Sequence, residues 1–320
     1  MHFLMYKHNA LTQEDLINNL KNMGHSVDCI IYNFHDFMQD NFFANKFRKY
    51  IAGKSYDAVL SINYFPLISK LCEEASLLYF SWSYDSPAPR LVHMDNPFNR
   101  IFLFDKTEYL KYKKAGCSTV YHLPLAVDTG RLDTLTASPE QLKRFQKDIS
   151  FVGKLYQNYK IKSFQKTNEE RTRLLSGLSR RHSVTLYAPY TTDIQNFENL
   201  NLAGPVEYYH EMPLAFRHSK INLNITLSCI ESGIPLRILD ILGSGGFLIT
   251  NPQSELEEYF SDGVDLVYYQ DEKDLYEKVA YYLSHEEERK QIAMSGYEKV
   301  KQYFNYPLQI QRMFEMGGLI

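Results

Sequence analysis

The strongest constraint on this chain is an alternation of short apolar runs and amphipathic helical stretches that starts at its first residues. HFLMYKH is followed by the helical TQEDLINNLKNMG, then HSVDCIIYN, another helical stretch, and YDAVLSIN. Apolar runs of this kind suit strands buried on both faces, and helices between them suit parallel crossovers. LISKLCEEA, LLYFSWSYDS, RIFLFD, KTEYLKYKKAG and STVYHLPL carry the rhythm to about residue 125. The sequence then turns polar through TGRLDTLTASPEQLKRFQKD, which reads as a linker with some helix. From DISFVGKL the rhythm restarts, through a long helical segment to Arg181, SVTLYA, INLNITL, a helix opening at Pro235, GFLITN, DLVYY and helical stretches over 271–303.

A chain of 320 residues with 44% hydrophobic content exceeds one simple core. The expected organisation is two α/β domains: a first over 1–128, a linker over 129–148, a second over 149–303, and a closing helix over 304–320. A net charge of −3 provides no basic field for a phosphate backbone, so nucleic acid is not an expected partner. Cys29, Cys72, Cys117 and Cys229 form no CxxC or Cys/His ligand spacing, which predicts buried free thiols and no zinc. The amino terminus lacks signal-peptide features, and the longest apolar run, 279–283, is too short to span a bilayer. A soluble cytoplasmic protein is expected, its oligomeric state left open.

In open α/β sheets ligands collect beyond the carboxyl ends of the strands, and with two such domains the cleft between them is the default site. His8 and Asn9 follow the first strand, although a histidine there reads more readily as a hydrogen-bonded structural residue. Tyr84, Asp85 and Ser86 follow LLYFSW, and Gly153 and Lys154 follow ISFV. The stretch ESGIPLRILDILGSGGFLITN (231–251) poses a further question. Its helix carries Arg237 in the first turn and Asp240 further along, each at the end the macrodipole disfavours. A diphosphate bound at the turn made by Glu231, Ser232 and Gly233 would make Arg237 a ligand, and Asp240 would then accept ribose hydroxyls. Arg237 and Asp240, three apart, pairing with each other is the competing account.

SKINLNI, SGIPLRILDILGSGGFLITN, ELEEYFSDGVDLVYY and SHEEERKQIAMSGYEKV resemble the nucleotide-binding half of GT-B glycosyltransferases, and within them the group typified by the spore-maturation protein CgeB. INYFPLISKLC, SWSYDSP, FLFDKTEYLKYKKAG and HLPLAVD extend the likeness through the first half. The resemblance implies an α/β GT-B fold, two Rossmann-like domains with parallel sheets facing across a cleft. It also implies a nucleoside-diphosphate-sugar donor, a UDP-sugar first among them, held by the second domain. The acceptor, a glycan, protein or small molecule, belongs on the first. Gly153, Lys154 and Asp240 occupy positions that meet diphosphate and ribose in that family, and the last helix of the fold usually crosses back to the first domain. Many relatives use two glutamates separated by seven residues, whereas Glu231 and Asp240 are separated by eight and the second is aspartate.

Glycosyl transfer builds negative charge on the leaving diphosphate. No two aspartates stand two apart to hold a metal, so metal-independent chemistry is expected, with Lys154, Arg237 and the helix N-terminus supplying the charge. Asp85, beside Trp82 and Tyr84, is the candidate base; an Asx turn or cap into Ser86-Pro87 is the alternative. Tyr187 and Tyr190, in LYAPY, are expected to edge the base pocket. Arg171, Arg173, Arg180 and Arg181 read as a solvated helix face. A catalytically silent module that binds nucleotide or glycan in an assembly or regulatory role is the competing function, and a sugar-nucleotide epimerase on the same fold is a third.

Overall fold

The apolar runs become strands, and every strand pairing is parallel. The computed structural model describes residues 1–8, 10–155, 162–195 and 197–320, so Asn9 lies outside the described residues. The chain divides into two units, one of Met1–Ala126 with Tyr306–Ile320 and one of Val127–Asn305. The first runs β1 (His2–Lys7), α1 (Gln13–Asn22), β2 (Ser26–Ile31), α2 (Asn41–Ala52), β3 (Ala58–Ile62), α3 (Pro66–Glu74), β4 (Leu78–Ser83), β5 (Asn99–Leu103), α4 (Lys106–Lys114) and β6 (Val120–His122). Its sheet has the order β2-β1-β3-β4-β5-β6. All five residues of β3 are buried, as befits a central parallel strand.

The second unit runs α5 (Thr129–Thr134), α6 (Pro139–Phe145), β7 (Lys147–Val152), α7 (Lys162–Ser179), β8 (Val184–Tyr187), β9 (Leu200–Leu202), α8 (Met212–His218), β10 (Ser219–Asn224), α9 (Leu236–Gly243), β11 (Leu248–Thr250), α10 (Ser254–Tyr259), β12 (Val267–Tyr268), α11 (Glu272–Ser284) and α12 (Glu286–Tyr303). Its sheet has the order β12-β11-β10-β7-β8-β9. Ser150 Oγ donates to Asn222 Oδ1 at 2.8 Å and Asn222 Nδ2 donates to the Phe216 and Phe247 carbonyls, tying β7 to β10 inside the sheet. The last helix, α13 (Tyr306–Gly317), belongs to the first unit. Phe314 stacks on Phe3 at 5.1 Å, Tyr306 meets Trp82 edge-on, and Arg100 Nε donates to the Gly317 carbonyl at 2.8 Å.

Helix starts follow their capping residues. Asp40, Asp105, Asp128 and Asp271 each accept a first-turn N–H, and Ser138 with Gln141 forms a capping box ahead of α6. Residues 129–148, expected as a linker with some helix, hold α5, α6 and the start of β7, with Leu132 and Phe145 as buried apolar anchors in an otherwise polar stretch. One local expectation is corrected. Pro235 is the extended residue that precedes α9, whose helical residues begin at Leu236.

Candidate functional site

Each sheet reverses its strand order once. In the second unit the chain runs from β7 outward through β8 and β9, then returns to the other side of β7 with β10. Crossovers on either side of such a switch point leave a crevice beyond the carboxyl ends of the two central strands. That crevice is present as a cavity of about 300 Å³ within the second unit. Gly153 and Lys154 from the end of β7, Thr226 beyond β10, Pro235 and Arg237 from the start of α9, and Arg171 from α7 line it. None of the described lining residues is acidic.

Three cations thus share one wall. Lys154 is exposed. Arg237 is partly exposed, lies over Phe216 at 5.4 Å and contacts Met212 Sδ at 2.7 Å. Arg171 overturns the expectation of a solvated face: it is 8% exposed, although the other three arginines of that group are exposed. Its Nε and Nη2 donate to the Ile225 carbonyl and its Nη1 to the Lys154 carbonyl at 3.0 Å, so one guanidinium holds the loops after β7 and β10 together. Helical spacing alone gave no sign of this, since Arg173, two residues on, pairs with Glu272 at the surface. Gly153 permits a close approach, because a Cβ there would stand 2.9 Å from the Phe151 ring.

The remaining residues predicted from the sequence lie elsewhere in the unit. Asp240 is buried, accepting from Tyr208 Oη at 3.1 Å and from Arg237 Nη1 at 3.4 Å, so the internal pair weighed against a ribose contact is formed. Ser232 is buried and donates to Glu255 Oε1 at 2.9 Å, which secures the start of α10. Gly233 is buried in the turn before Pro235. Tyr187 does not edge this cavity: it packs beside Phe145 in the core and its hydroxyl donates to the Arg144 carbonyl, so burial pushes its pKa up to about 12. A tyrosine at a strand's last position can face either side of the sheet, and this one faces α6. Tyr190 is 73% exposed and outside the lining.

A larger hollow of about 470 Å³ opens at the amino ends of β7 and β10. Its chemistry is weaker. Arg217 is fully engaged with the carbonyls of Ser244, Leu135 and Leu132, and Lys290 pairs with Glu286 and Glu287.

The first unit has its own switch point, between β1 and β3. Asn63 follows β3 with a left-handed backbone, φ 61°, and is the clamp for the residues after β4. Its Nδ2 donates to Asp85 Oδ2 at 2.7 Å while its Oδ1 accepts the Tyr84 N–H at 2.9 Å. Asp85 is exposed and makes neither an Asx turn nor a helix cap among the described residues. Burial holds the His8 imidazole below its ordinary pKa, reinforced by Arg90 and opposed by Asp85. The loop carrying Asp85 is pinned by Glu108, which accepts from Ser86 Oγ and from the Ala88 N–H at 2.8 Å. Burial pushes the Glu108 carboxyl up.

A glycosyl transferase-like family model matches residues 160–315. No curated protein sequence matches the chain. Among solved structures, a glycosyltransferase from Rickettsia africae is 12% identical, with TM-score 0.69, covering 99% of this chain and 97% of its own. Anabaena HepE in complex with UDP and glucose is 10% identical, with TM-score 0.68 and full coverage of both chains. Sucrose-phosphate synthase from Thermosynechococcus elongatus is 10% identical, with TM-score 0.69, covering 99% and 98%. At these identities the likeness shows the fold, which is α/β of the GT-B type.

Proposed function

We propose that this chain is a metal-independent glycosyltransferase that moves a sugar from a nucleoside-diphosphate sugar, first of all a UDP-sugar, to an acceptor hydroxyl. Its motifs put it beside the CgeB-like group. The observation that carries the reading is the cavity beyond β7 and β10, where Lys154, Arg171 and Arg237 face one space without a carboxylate among the described lining residues. A cationic wall with no acidic lining residue at a switch point suits a diphosphate, and Arg237 offers it a planar fork. HepE, whose complexes contain UDP and UDP-glucose, supports the same donor class.

The bond from the anomeric carbon to the diphosphate breaks with negative charge growing on the leaving oxygen. Lys154, Arg237 and the amino end of α9 oppose that charge without needing to reorganise. Arg171 keeps the two strand-end loops at the spacing this requires. As Arg237 turns to the diphosphate, Asp240 is released to accept ribose hydroxyls beside Tyr208. The acceptor oxygen bonds to the anomeric carbon, and its proton passes to Asp85, held by Asn63 with its Oδ1 unpartnered among the described residues.

A thermal-shift panel of UDP, GDP, ADP, CDP and dTDP, with and without magnesium, tests the donor site. Ligand at a hundred times its Kd adds ~2.7 kcal/mol, enough for a shift of several degrees. One strong shift that survives magnesium removal is expected; no shift with any nucleotide overturns the donor assignment. Binding without transfer to any acceptor returns the chain to the silent module.

A further inference from the structure

The transfer chemistry leaves one group of the first unit unused. The Arg90 guanidinium is half-buried against the neighbouring rings of Phe37 and Phe65, 4.5 and 4.4 Å from their centroids. Its Nε donates to the Tyr64 carbonyl at 3.1 Å, yet its two Nη groups make no hydrogen bond or ion pair among the described residues, and Asp85 acts on it only as a more distant charge. Taking a guanidinium out of water without a directly paired carboxylate is unfavourable, and burial lowers its pKa accordingly. Arg90 is also held at a φ of 62°, in the left-handed region that a non-glycine residue keeps only where its surroundings fix it. The fixing is visible: Tyr64 Oη donates to the Val92 and His93 carbonyls just beyond, and Glu108 holds Ser86 and Ala88 just before.

His8 rests on the same aromatic ring, its centroid 5.2 Å from that of Phe65. Its tautomer follows from Gln13, whose Oε1 accepts the His8 main-chain N–H and whose Nε2 donates to the Tyr6 carbonyl. Those main-chain partners orient the amide, so the same Nε2 donates to His8 Nδ1 at 3.0 Å. A neutral imidazole that accepts at Nδ1 carries its hydrogen on Nε2. His8 is therefore a donor and not a base, and its Nε2 has no protein partner among the described residues.

We propose that the Nη groups of Arg90 and the Nε2–H of His8 bind an oxyanion, a carboxylate or a phosphate monoester, carried by the acceptor near the hydroxyl that Asp85 deprotonates. The inference rests on the glycosyltransferase reading and narrows it to acidic acceptors, uronic acids or sugar phosphates. The guanidinium is a planar fork and packs on the Phe37 and Phe65 rings, which suits bidentate capture of an oxyanion.

Calorimetric titration of the full chain with glucose 6-phosphate, glucuronate and glucose tests this, with UDP titrated separately. One anionic sugar is expected to bind roughly ten- to hundredfold more tightly than glucose. Glucose 6-phosphate against glucuronate tells phosphate from carboxylate. Arg90→Met removes the preference and leaves UDP affinity unchanged. Should Arg90→Met fail to fold, His8→Phe keeps the ring contacts, removes one donor and lowers the preference by a smaller factor. Equal binding of glucose and the anionic sugars, no binding of either anionic sugar, or an unchanged preference in the folded variants overturns the proposal. An anionic sugar that binds when UDP does not leaves this site standing and removes the donor reading; the reverse removes this site alone.

Discussion

Beyond β7 and β10 the second unit gathers Lys154, Arg171 and Arg237 in a cavity whose described lining holds no acidic residue, whereas beyond β1 and β3 the first unit sets Asp85 within electrostatic reach of His8 and Arg90. Both places are switch points of six-stranded parallel sheets. The sheet determines only where a crevice opens; the loops determine its sign. A wall of one sign suits a ligand that arrives with compensating charge, and a mixed wall suits proton transfer beside a recognition contact. The two are separable by experiment.

The largest expected effect is on the mixed wall. Asp85→Asn should lower transfer by about 10²- to 10⁴-fold. UDP affinity measured on the same preparation should not change. A fully active variant would remove Asp85 from the chemistry and break the contrast between the units. On the cationic wall, Lys154→Met and Arg237→Met should each weaken UDP binding by ~1.5–3 kcal/mol, read by titration, with sugar binding by the first unit intact. Unchanged UDP affinity in both would show that the wall holds no diphosphate.

Arg171→Met sharpens the contrast further, because that residue joins structure to charge. It leaves the Ile225 and Lys154 carbonyls without their donor, so a stability loss of ~1–3 kcal/mol is expected together with weaker UDP binding. A stability loss with unaltered UDP affinity would confine Arg171 to a structural part. The smallest effect is pH-dependent. Burial lowers the pKa of His8, His25, His182 and His218 from the ordinary 6.5. The unfolded chain then binds protons more readily than the folded one, so stability is full above pH 6.5 and declines as pH falls below it. His8→Phe should make the acid limb of a Tm-against-pH profile shallower; an identical limb would show that His8 titrates as freely as in the unfolded chain.

The parallel sheets were legible because apolar runs and amphipathic helices repeat with different periods, and each run read as a strand became one. β9 and α8 escaped notice, being three and seven residues long, too short to show a period. At the site, Gly153, Lys154 and Arg237 were legible as residues following strands or opening a helix. Arg171 and Arg90 were not, because one looks like any arginine on a polar helix and the other lies in a loop. What distinguishes them is burial of the guanidinium against a strand-end crevice, a property of three-dimensional packing that spacing does not encode. Tyr187 erred the opposite way: its position in the strand suggested the pocket, but its side chain belongs to the core.

The return of α13 to the first unit bears on how the protein is made. Phe3, Phe80 and Trp82 reach their packing partners Phe314, Gly317 and Tyr306 only once residues 306–317 have been made. The first unit, although its strands are made first, waits with an apolar face uncovered until the whole of the second unit has been synthesised. Val127 and Asn305, the first and last residues of the second unit, are bridged side by side, so that unit can close on itself as soon as it emerges. A released chain that stops at Asn305 should hold a folded second unit and a first unit whose uncovered apolar face chaperones bind.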